Sequence, residues 1–383
     1  MFIFIRDLYL GRLKGGTYFV KSTLKIGSIL GIPIRLHITF LLILPVFAYI
    51  FAINPYPYGF QGVESAATKY ILSALTAILL FSSILLHELA HSYLAKQYGV
   101  NIESITLFLF GGVSSMEEIP RDPGQEAKMA FAGPLTSLII GIVCLLTYRY
   151  MIAPNPALSA NPVYLIIWIL GVMNLVLGIF NLLPAFPMDG GRVLRAFYAR
   201  RMSYVKATQS AAAVGKFFAI LMAIFGILVG NLWFPLIALF IYVGASEEER
   251  STQASVTLEN ILVKDIMTKD VVSVSPSMSV EDLVHFMFEK KHMGYPVIEG
   301  SNLKGIVTFT DIQRVPTLDR PVMRVSDIMT RNIISVPSNS QAIDALKLVT
   351  SKNIGRVLVI DNGSVVGVLS RTDLVRILKL RSE

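Results

Sequence analysis

Six apolar stretches, five of them near the length of a membrane-spanning helix and the last one shorter, occupy about half of the first 245 residues of this chain. A helix needs about 20 mainly apolar residues to cross a bilayer, and a soluble core could not bury so many. Only 16% of all residues are charged, against about 25% in soluble domains. The sequence therefore predicts a polytopic α-helical membrane protein with about six spans, at 37–53, 70–98, 127–148, 163–183, 210–230 and 232–245.

Lysine and arginine are concentrated on one side of these predicted spans. Because positively charged loops stay in the cytoplasm, both termini are expected there, in a multi-pass protein of the cell membrane. The net charge of +8 needs no nucleic-acid partner, since no long basic cluster with interleaved aromatic residues occurs. The basic residues that set the orientation are Arg6, Arg12, Lys14, Lys21, Lys25 and Arg35 before the first span, and Arg192, Arg195, Arg200, Arg201 and Lys206 after the fourth.

A short β-forming region separates the second and third spans. The segments ITLFLF and GGVSSM meet at Gly111 and Gly112, a pattern typical of a β-hairpin. Irregular backbone at membrane depth is tolerated only against protein or a wet cavity. We therefore expect a membrane-associated β-hairpin here.

The sequence after Gly244 is soluble in composition and repeats itself. VKDIMTKDVVSV at 263 is echoed by VSDIMTRNIISV at 325, and GIVTFTDI at 305 by GVLSRTDL at 367. Each repeat predicts a strand, a helix, two strands and a helix, which is too small to be stable alone, so the two should pack as a soluble α+β pair. The expected divisions are a membrane-embedded domain at 1–246, a polar linker at 247–255 and repeats at 256–318 and 319–383.

The second predicted span contains His87, Glu88 and His91 with the spacing H-E-x-x-H. Residues four apart share a helix face, so both imidazoles can reach one metal at about 2.0–2.1 Å. Glu88 lies beside that position, where it can take a proton from water. A charged residue deep in a span costs about 2.5–3.5 kcal/mol on insertion scales, which favours a metal site over structural histidines.

Two histidines leave a tetrahedral zinc ion short of a protein ligand. The best third ligand is Asp189 in NLLPAFPMDGGR, because the prolines there break the fourth predicted span and can free backbone to line a wet cavity. The alternative for Asp189 is a polar turn residue. Asn181, near the same helix end, is either a donor to a developing oxyanion or an amide that packs helices. One zinc ion per chain is expected.

Three motifs of the membrane domain resemble those of a known family. HELAH at 87–91, AGPL at 132–135 and NLLPAFPMDGGR at 181–192 are similar to the site-2 protease family of intramembrane zinc metalloproteases, in its archaeal and sporulation-type branch. The resemblance implies that His87, His91 and Asp189 bind zinc, that Glu88 is the general base and that Asn181 supports the transition state or substrate. It also implies hydrolysis of peptide bonds within or near transmembrane segments of substrate proteins.

The C-terminal repeats resemble a CBS domain pair. Thr308 and Asp311 in the first repeat, and Ser370 and Asp373 in the second, match the S/T-x-x-D pattern of that family. The resemblance implies an adenine nucleotide, with the hydroxyl at the phosphate and the carboxylate at the ribose, and regulation of the enzyme by it. The alternative is a dimerisation module with an empty cleft, and a homodimer through the CBS pair is expected.

Two other functions are compatible with these features. A CBS-gated transporter could use intramembrane polar residues as an ion path, although it would not need an H-E-x-x-H helix facing a distant aspartate. A non-catalytic membrane scaffold could use zinc for stability alone. Bound zinc separates the protease from the transporter, and proteolysis separates it from the scaffold.

Overall fold

The computed structural model describes residues 23–108, 111–116, 120–300 and 302–381. It divides into two compact units, Met1–Arg250 and Ser251–Glu383. Four of the basic residues used above to orient the chain, Arg6, Arg12, Lys14 and Lys21, lie outside the described residues.

The first unit is built mainly from long apolar helices. They are Ile38–Ile53 (α1), Ala66–Gln97 (α2), Pro123–Thr147 (α3), the short Pro156–Ser159 (α4), Leu165–Asn181 (α5), Asp189–Ala199 (α6), Tyr204–Val229 (α7) and Trp233–Thr257 (α8). A π-helical turn at Tyr148–Ile152 extends α3, and a 3₁₀ turn at Pro162–Tyr164 precedes α5.

Four helices of the described chain are long and apolar enough to cross a membrane. They contain α2, α3, α5 and α7, and α1 is a shorter apolar helix of 16 residues. These helices confirm the polytopic α-helical class, whereas the number of six spans stays a prediction. The apolar part of α8 is followed directly by polar residues of the same helix.

The predicted hairpin is one half of a four-stranded sheet. The strands Thr23–Ile29 (β1), Ile32–His37 (β2), Ile102–Phe108 (β3) and Gly111–Met116 (β4) lie in that order, with β2 and β3 parallel and the other pairs antiparallel. Gly111 and Gly112 open β4 rather than forming the turn. Strand β4 is therefore an edge of the sheet, paired along one side with β3.

Small residues let α3 and α5 approach each other closely, as is common between membrane helices. A Cβ atom added at Gly141 of α3 would overlap Leu175 of α5, and one added at Gly178 would overlap Leu138. The helix α3 also packs on α2 and α6. It thus lies at the centre of the unit, between the helix that carries the two histidines and the helix that begins with Asp189.

Residues 247–255, expected as a polar linker, are the last turns of α8. Their charged side chains are in part ion-paired within the first unit, since Glu248 contacts Arg195 and Glu249 contacts Lys216. These pairs explain why a charged sequence continues a helix here instead of forming a solvated loop. The division between the compact units falls inside this helix, after Arg250.

The second unit contains the two repeats. Its strands are Gly294–Glu299 (β5), Asn302–Thr308 (β6), Ser335–Val336 (β7), Arg356–Asp361 (β8) and Ser364–Ser370 (β9). Its helices are Val263–Ile266 (α9), Val280–Lys290 (α10), Phe309–Ile312 (α11), Val325–Ile328 (α12), Ala342–Ser351 (α13) and Arg371–Arg381 (α14), with a 3₁₀ turn at Thr317–Asp319. This composition confirms the α+β class of the C-terminal part.

Each repeat completes its core with the opening segment of the other. Val263 of α9 is buried in one cluster with Val357 and Leu374 of the second repeat. Val325 of α12 is buried with residues of the first repeat. Backbone bonds cross in the same way, with Thr268 donating to Val368 at 2.9 Å. The repeats are therefore interlocked.

Candidate metal centre

The two histidines of the H-E-x-x-H motif lie one turn apart on α2 and face the first residue of α6. His87 Nε2 lies 3.3 Å and His91 Nε2 3.1 Å from the same oxygen, Oδ2 of Asp189. Both histidines are buried, and the Asp189 side chain is 15% exposed. His87, His91 and Asp189 each offer one ligand atom, and these atoms lie within 4.8 Å of one another. The structure thus brings together the three residues that the sequence pattern selected.

The glycine pair after Asp189 fixes where that carboxylate lies. A Cβ atom at Gly190 would overlap the backbone of Leu182 and Leu183, and one at Gly191 would overlap Ala185. Only glycine therefore allows α6 to begin against the loop that follows α5. This close approach is what carries Asp189 back to the histidines of α2.

The helix α3 orients both imidazole rings through their other nitrogens. His91 Nδ1 lies 2.7 Å from the carbonyl oxygen of Met129, and His87 Nδ1 lies 2.9 Å from Oγ of the buried Ser137. A carbonyl only accepts, so His91 Nδ1 carries the proton and, in the neutral ring, Nε2 presents a lone pair toward Asp189. Such outer contacts are a general feature of metal-binding histidines.

The donor set fits a zinc ion. Two imidazole nitrogens and a carboxylate oxygen this close to one another need a cation or a proton among them. A tetrahedral zinc with bonds of about 2.0–2.1 Å sets its ligand atoms about 3.3 Å apart, which matches 3.1 and 3.3 Å here. Gly133 of α3 leaves the space open, because a Cβ atom there would overlap Nε2 of both histidines.

Glu88 lies on the same helix and is held against the edge strand. A Cβ atom at Gly112 of β4 would overlap Cγ of Glu88, so the strand backbone passes directly over this side chain. Ser92 of α2 donates to the carbonyl oxygen of Glu88 at 2.8 Å and lies 2.9 Å from Oγ of Ser114 in β4. The strand and the candidate base are thus fixed to each other.

Asn181 is the last residue of α5, one short loop before Asp189. Its Nδ2 donates to the carbonyl oxygen of Leu177 at 3.0 Å, which occupies one of its two amide hydrogens. Among the described residues, the hydrogen bonds do not join Asn181 to the three candidate ligands. Its second amide hydrogen is the one that a substrate could use.

Ser137 and Met129 were not found by the sequence argument, and Gly133 entered it only as a member of the AGPL motif. All three come from α3, in or beside the AGPL segment. The available signal was the Gly-Pro pair inside an apolar helix, because a conformationally costly residue in a span usually marks a close approach. A backbone carbonyl such as that of Met129 has no signature in the sequence at all.

In the second unit, both S/T-x-x-D motifs lie at the start of a helix, the four-residue α11 and the eleven-residue α14. Thr308 Oγ1 donates to Asp311 Oδ2 at 2.6 Å, and Ser370 Oγ donates to Asp373 Oδ2 at 2.6 Å. The backbone N–H of each hydroxyl residue donates to the same carboxylate oxygen. Capping uses Oδ2 in each motif, and Oδ1 of Asp311 lies 4.0 Å from Nη1 of Arg314.

A cleft of about 320 Å³ lies beside the first of these motifs. Asp311 and Arg314 lie on its polar side, and it is otherwise lined by Val315, Pro316, Met323 and Ile328. The second motif has the same spacing of carboxylate and guanidinium, Asp373 and Arg376. The repeated arginine is a feature that the sequence argument missed.

Arg356 distinguishes the second repeat from the first. It opens β8, and its Nη1 donates to the carbonyl oxygen of Gly294, the residue that opens β5. Burial lowers the pKa of this guanidinium, while the Tyr295 hydroxyl and the Asp373 carboxylate act to raise it. The second motif therefore has an additional cation nearby.

Family models match both parts of the chain. The model described as peptidase family M50 matches residues 75–160 and 150–222, and the CBS domain model matches 263–317 and 325–380. A zinc metalloprotease of Methanocaldococcus jannaschii is 39% identical over 367 residues, which cover 95% of this chain and 99% of that protein. Rip3 of Mycobacterium tuberculosis is 32% identical over 374 residues, covering 94% and 93%.

Among solved structures, the site-2 protease from Methanocaldococcus jannaschii is 42% identical to this chain. The matched region covers 59% of this chain and 95% of the solved chain, with a TM-score of 0.43. The curated relatives extend over nearly the whole length of the chain and favour the protease over the transporter and the scaffold. The chain therefore belongs to peptidase family M50, the site-2 protease family of membrane zinc metalloproteases, and carries a CBS domain pair.

Proposed function

We propose that His87, His91 and Asp189 hold the catalytic zinc ion, one per chain, and that Glu88 is the general base and acid for peptide-bond hydrolysis. The observation that carries this proposal is the convergence of both Nε2 atoms on Asp189 Oδ2, at 3.3 and 3.1 Å. A zinc ion bound there supplies Lewis-acid chemistry, raising the acidity of water and the electrophilicity of a peptide carbonyl.

The residues of the chain perform the proton transfers. Glu88 takes a proton from the attacking water and later returns it to the leaving amine. Asn181 donates its second amide hydrogen to the oxygen that gains charge. Met129 and Ser137 hold the two rings by their Nδ1 atoms, so that the Nε2 atoms keep their direction throughout the reaction.

The substrate that fits this site is a membrane protein cleaved within or near a transmembrane segment. The candidate metal ligands lie on α2, which is long and apolar enough to span a membrane, and at the start of α6, which follows the candidate span α5. A water-soluble peptide would have to reach a centre placed among apolar helices, whereas a membrane segment already lies beside them.

The test separates the metal ligand from the base. In detergent-purified full-length protein, Asp189→Ala is expected to lose most of the zinc, because a ligand is removed. Glu88→Gln is expected to keep one zinc per chain and to cleave a single-span substrate at least 100-fold more slowly, the lower end of acid–base contributions. Zinc content and cleavage rate are measured on the same samples. Wild-type protein without zinc, or Glu88→Gln cleaving at the wild-type rate, would contradict the proposal.

We propose further that the side of the membrane bearing α6 is the cytoplasmic side. Arg192, Arg200 and Arg201 lie between the candidate spans α5 and α7, and Lys206 is in the first turn of α7. Such basic connections stay in the cytoplasm. With six spans, the N- and C-termini are then cytoplasmic. A reporter fused after Glu383 that is active only outside the cytoplasm should give no signal, and a strong signal would reverse this topology.

For the second unit, we propose regulation by an adenine nucleotide. Asp311 and Asp373 each have a carboxylate oxygen, Oδ1, that takes no part in capping and can accept from ribose hydroxyls. Arginines near both motifs, among them Arg314 beside Asp311 and Arg356 beside Asp373, supply cations for phosphate. A homodimer through the CBS pair is part of the same proposal. The mass of the full-length protein in detergent, corrected for bound detergent, should equal two chains, and the mass of one chain would exclude the dimer.

A further inference from the structure

A largely buried charge cluster lies apart from the candidate metal ligands. Arg195 of α6 is 1% exposed and Glu126 of α3 is completely buried. Arg195 Nε donates to Glu126 Oε1 at 2.7 Å, and its Nη1 donates to Glu248 Oε1 of α8 at 2.8 Å. The guanidinium also stacks against the ring of Tyr204, with Cζ 4.8 Å from the ring centre.

Such a cluster is costly and geometrically demanding. The free-energy cost of removing an arginine and two carboxylates from water is offset only when the distances and directions of their bonds are nearly ideal. Loss of one partner leaves a buried charge without compensation. The proton transfers assigned to Glu88 and Asn181 do not use these three groups. What the cluster provides is a fixed relative position for the three helices that it joins.

Two of those helices carry the groups that define the metal centre. Arg195 is on α6, six residues after Asp189, or about 9 Å along a helix axis. Glu126 is in the first turn of α3, three residues before Met129, whose carbonyl accepts from His91. The pair of Arg195 and Glu126 therefore ties the helix that presents Asp189 to the helix that orients His91.

The third helix, α8, connects the cluster to the second unit along the chain. Glu248 is on α8, which is the covalent connection to the second unit. Its side chain is 27% exposed, unlike those of Arg195 and Glu126. It is therefore the member whose contact can change without opening the core.

We propose that Arg195, Glu126 and Glu248 are positioning residues for the metal centre, and that α8 acts on the position of Asp189 through Glu248. The inference rests on the proposed zinc site. A change in α8 that weakens the contact of Glu248 with Arg195 lets α6 shift against α3. The distance from Asp189 to the two histidines then changes, without any change in the ligands themselves.

The experiment compares two neighbouring ion pairs of α8 in the full-length protein. Glu248→Gln removes the charge that faces Arg195, while Glu249→Gln removes the charge that faces Lys216 of α7 at 2.7 Å. Residues that support metal ligands typically contribute 10–100-fold in affinity. We expect a chelator to extract zinc about 10-fold faster from Glu248→Gln than from wild type. From Glu249→Gln the rate should stay within twofold of wild type, since both members of that pair are partly exposed, whereas the partner of Glu248 is the buried Arg195.

Three further comparisons separate positioning from general stability. The kcat of Glu248→Gln should fall while KM stays near the wild-type value, and Glu248→Asp should restore part of the zinc retention. Arg195→Lys keeps the positive charge but lacks the planar guanidinium that bonds two carboxylates at once. A chelator should therefore remove zinc from this variant faster than from wild type, while circular dichroism shows that the variant is folded.

The same rate of zinc extraction from Glu248→Gln and Glu249→Gln would overturn the inference. So would a rise in KM with unchanged kcat. Wild-type protein that holds no zinc would overturn the metal centre itself, and this inference with it. If wild type holds zinc but the two variants lose it at the same rate, the metal centre stands and only the positioning role of Glu248 is wrong.

Discussion

Gly133 leaves room for a cation between the two histidines. It belongs to α3, and the hydrogen atom that stands in place of its side chain points at Nε2 of His87 and His91. A methyl group there would occupy the space in which the ligand atoms converge. The residue holds no metal and donates no proton, yet the centre depends on it.

Gly133→Ala should therefore lose zinc although all three proposed ligands remain. We expect zinc content below about 10% of one ion per chain and no detectable cleavage, with helix content unchanged by circular dichroism. Gly62→Ala is the matched control, because a Cβ atom there has nothing within 4 Å, and it should bind one zinc. Full zinc occupancy in Gly133→Ala would place the metal elsewhere.

The residues of the centre differ in how far a sequence could reveal them. His87, Glu88 and His91 were selected by the H-E-x-x-H spacing and by the cost of charged residues in a span. Asp189 was selected as the best further ligand beside a broken helix, with a polar turn residue as the alternative. Asn181 remains a prediction, since its visible bond is to Leu177 of its own helix. Met129 could not be foreseen, because it contributes a carbonyl that every residue possesses.

Among the elements, β4 is the one that contacts Glu88 and also ends the four-stranded sheet. Gly112 passes over Glu88, and Ser114 bonds Ser92 of α2. Its other edge is unpaired by the strands of the described sheet. A helical peptide bond is shielded by its own hydrogen bonds, so a substrate segment must unwind, and an exposed strand edge offers backbone partners to an extended chain.

Val113→Pro should weaken substrate binding without loss of zinc, because proline removes a backbone N–H from β4. A lost backbone hydrogen bond of about 1 kcal/mol corresponds to a roughly fivefold rise in KM. Val113→Ala keeps the N–H and serves as the control in the same cleavage assay. Equal KM values for the two variants would show that substrate docks elsewhere.

The strands β1 and β2 were not predicted from the sequence, for a physical reason. Nearly all side chains of β1 are exposed, so its pattern lacks the alternation of a half-buried strand. β2 runs directly into α1, and its apolar residues look like the start of a span. The hairpin of β3 and β4 was recognisable because a β-forming run led into a glycine pair.

For the whole molecule, the question is whether the second unit controls the first. Asp311 and Arg314 line a cleft in the first repeat. In the second repeat, the Asp373 carboxylate interacts electrostatically with the Arg356 guanidinium. Coupling between two sites is typically about 1–3 kcal/mol, so a nucleotide could change cleavage about 5–150-fold. The helix α8 is the connection along which such a change would pass.

Calorimetry on the full-length protein is expected to show binding of AMP, ADP or ATP. Asp311→Ala and Asp373→Ala should each weaken that binding at least fivefold while keeping one zinc per chain, because they remove a carboxylate from the ribose position. Asp344→Ala, whose carboxylate is exposed on α13, is the control. If none of the three nucleotides binds, the unit is a dimerisation module alone.

The exchange of opening segments between the repeats has a thermodynamic consequence. Val263 belongs to the sequence of one repeat and to the core of the other, and Val325 does the reverse. Melting either half therefore strips buried apolar surface from its neighbour. The pair should lose its structure in a single cooperative transition, with slow amide hydrogens of β5 and β8 exchanging together. A proteolytic cut between the halves, followed by their separation, would leave two fragments that each lack a piece of their own interior.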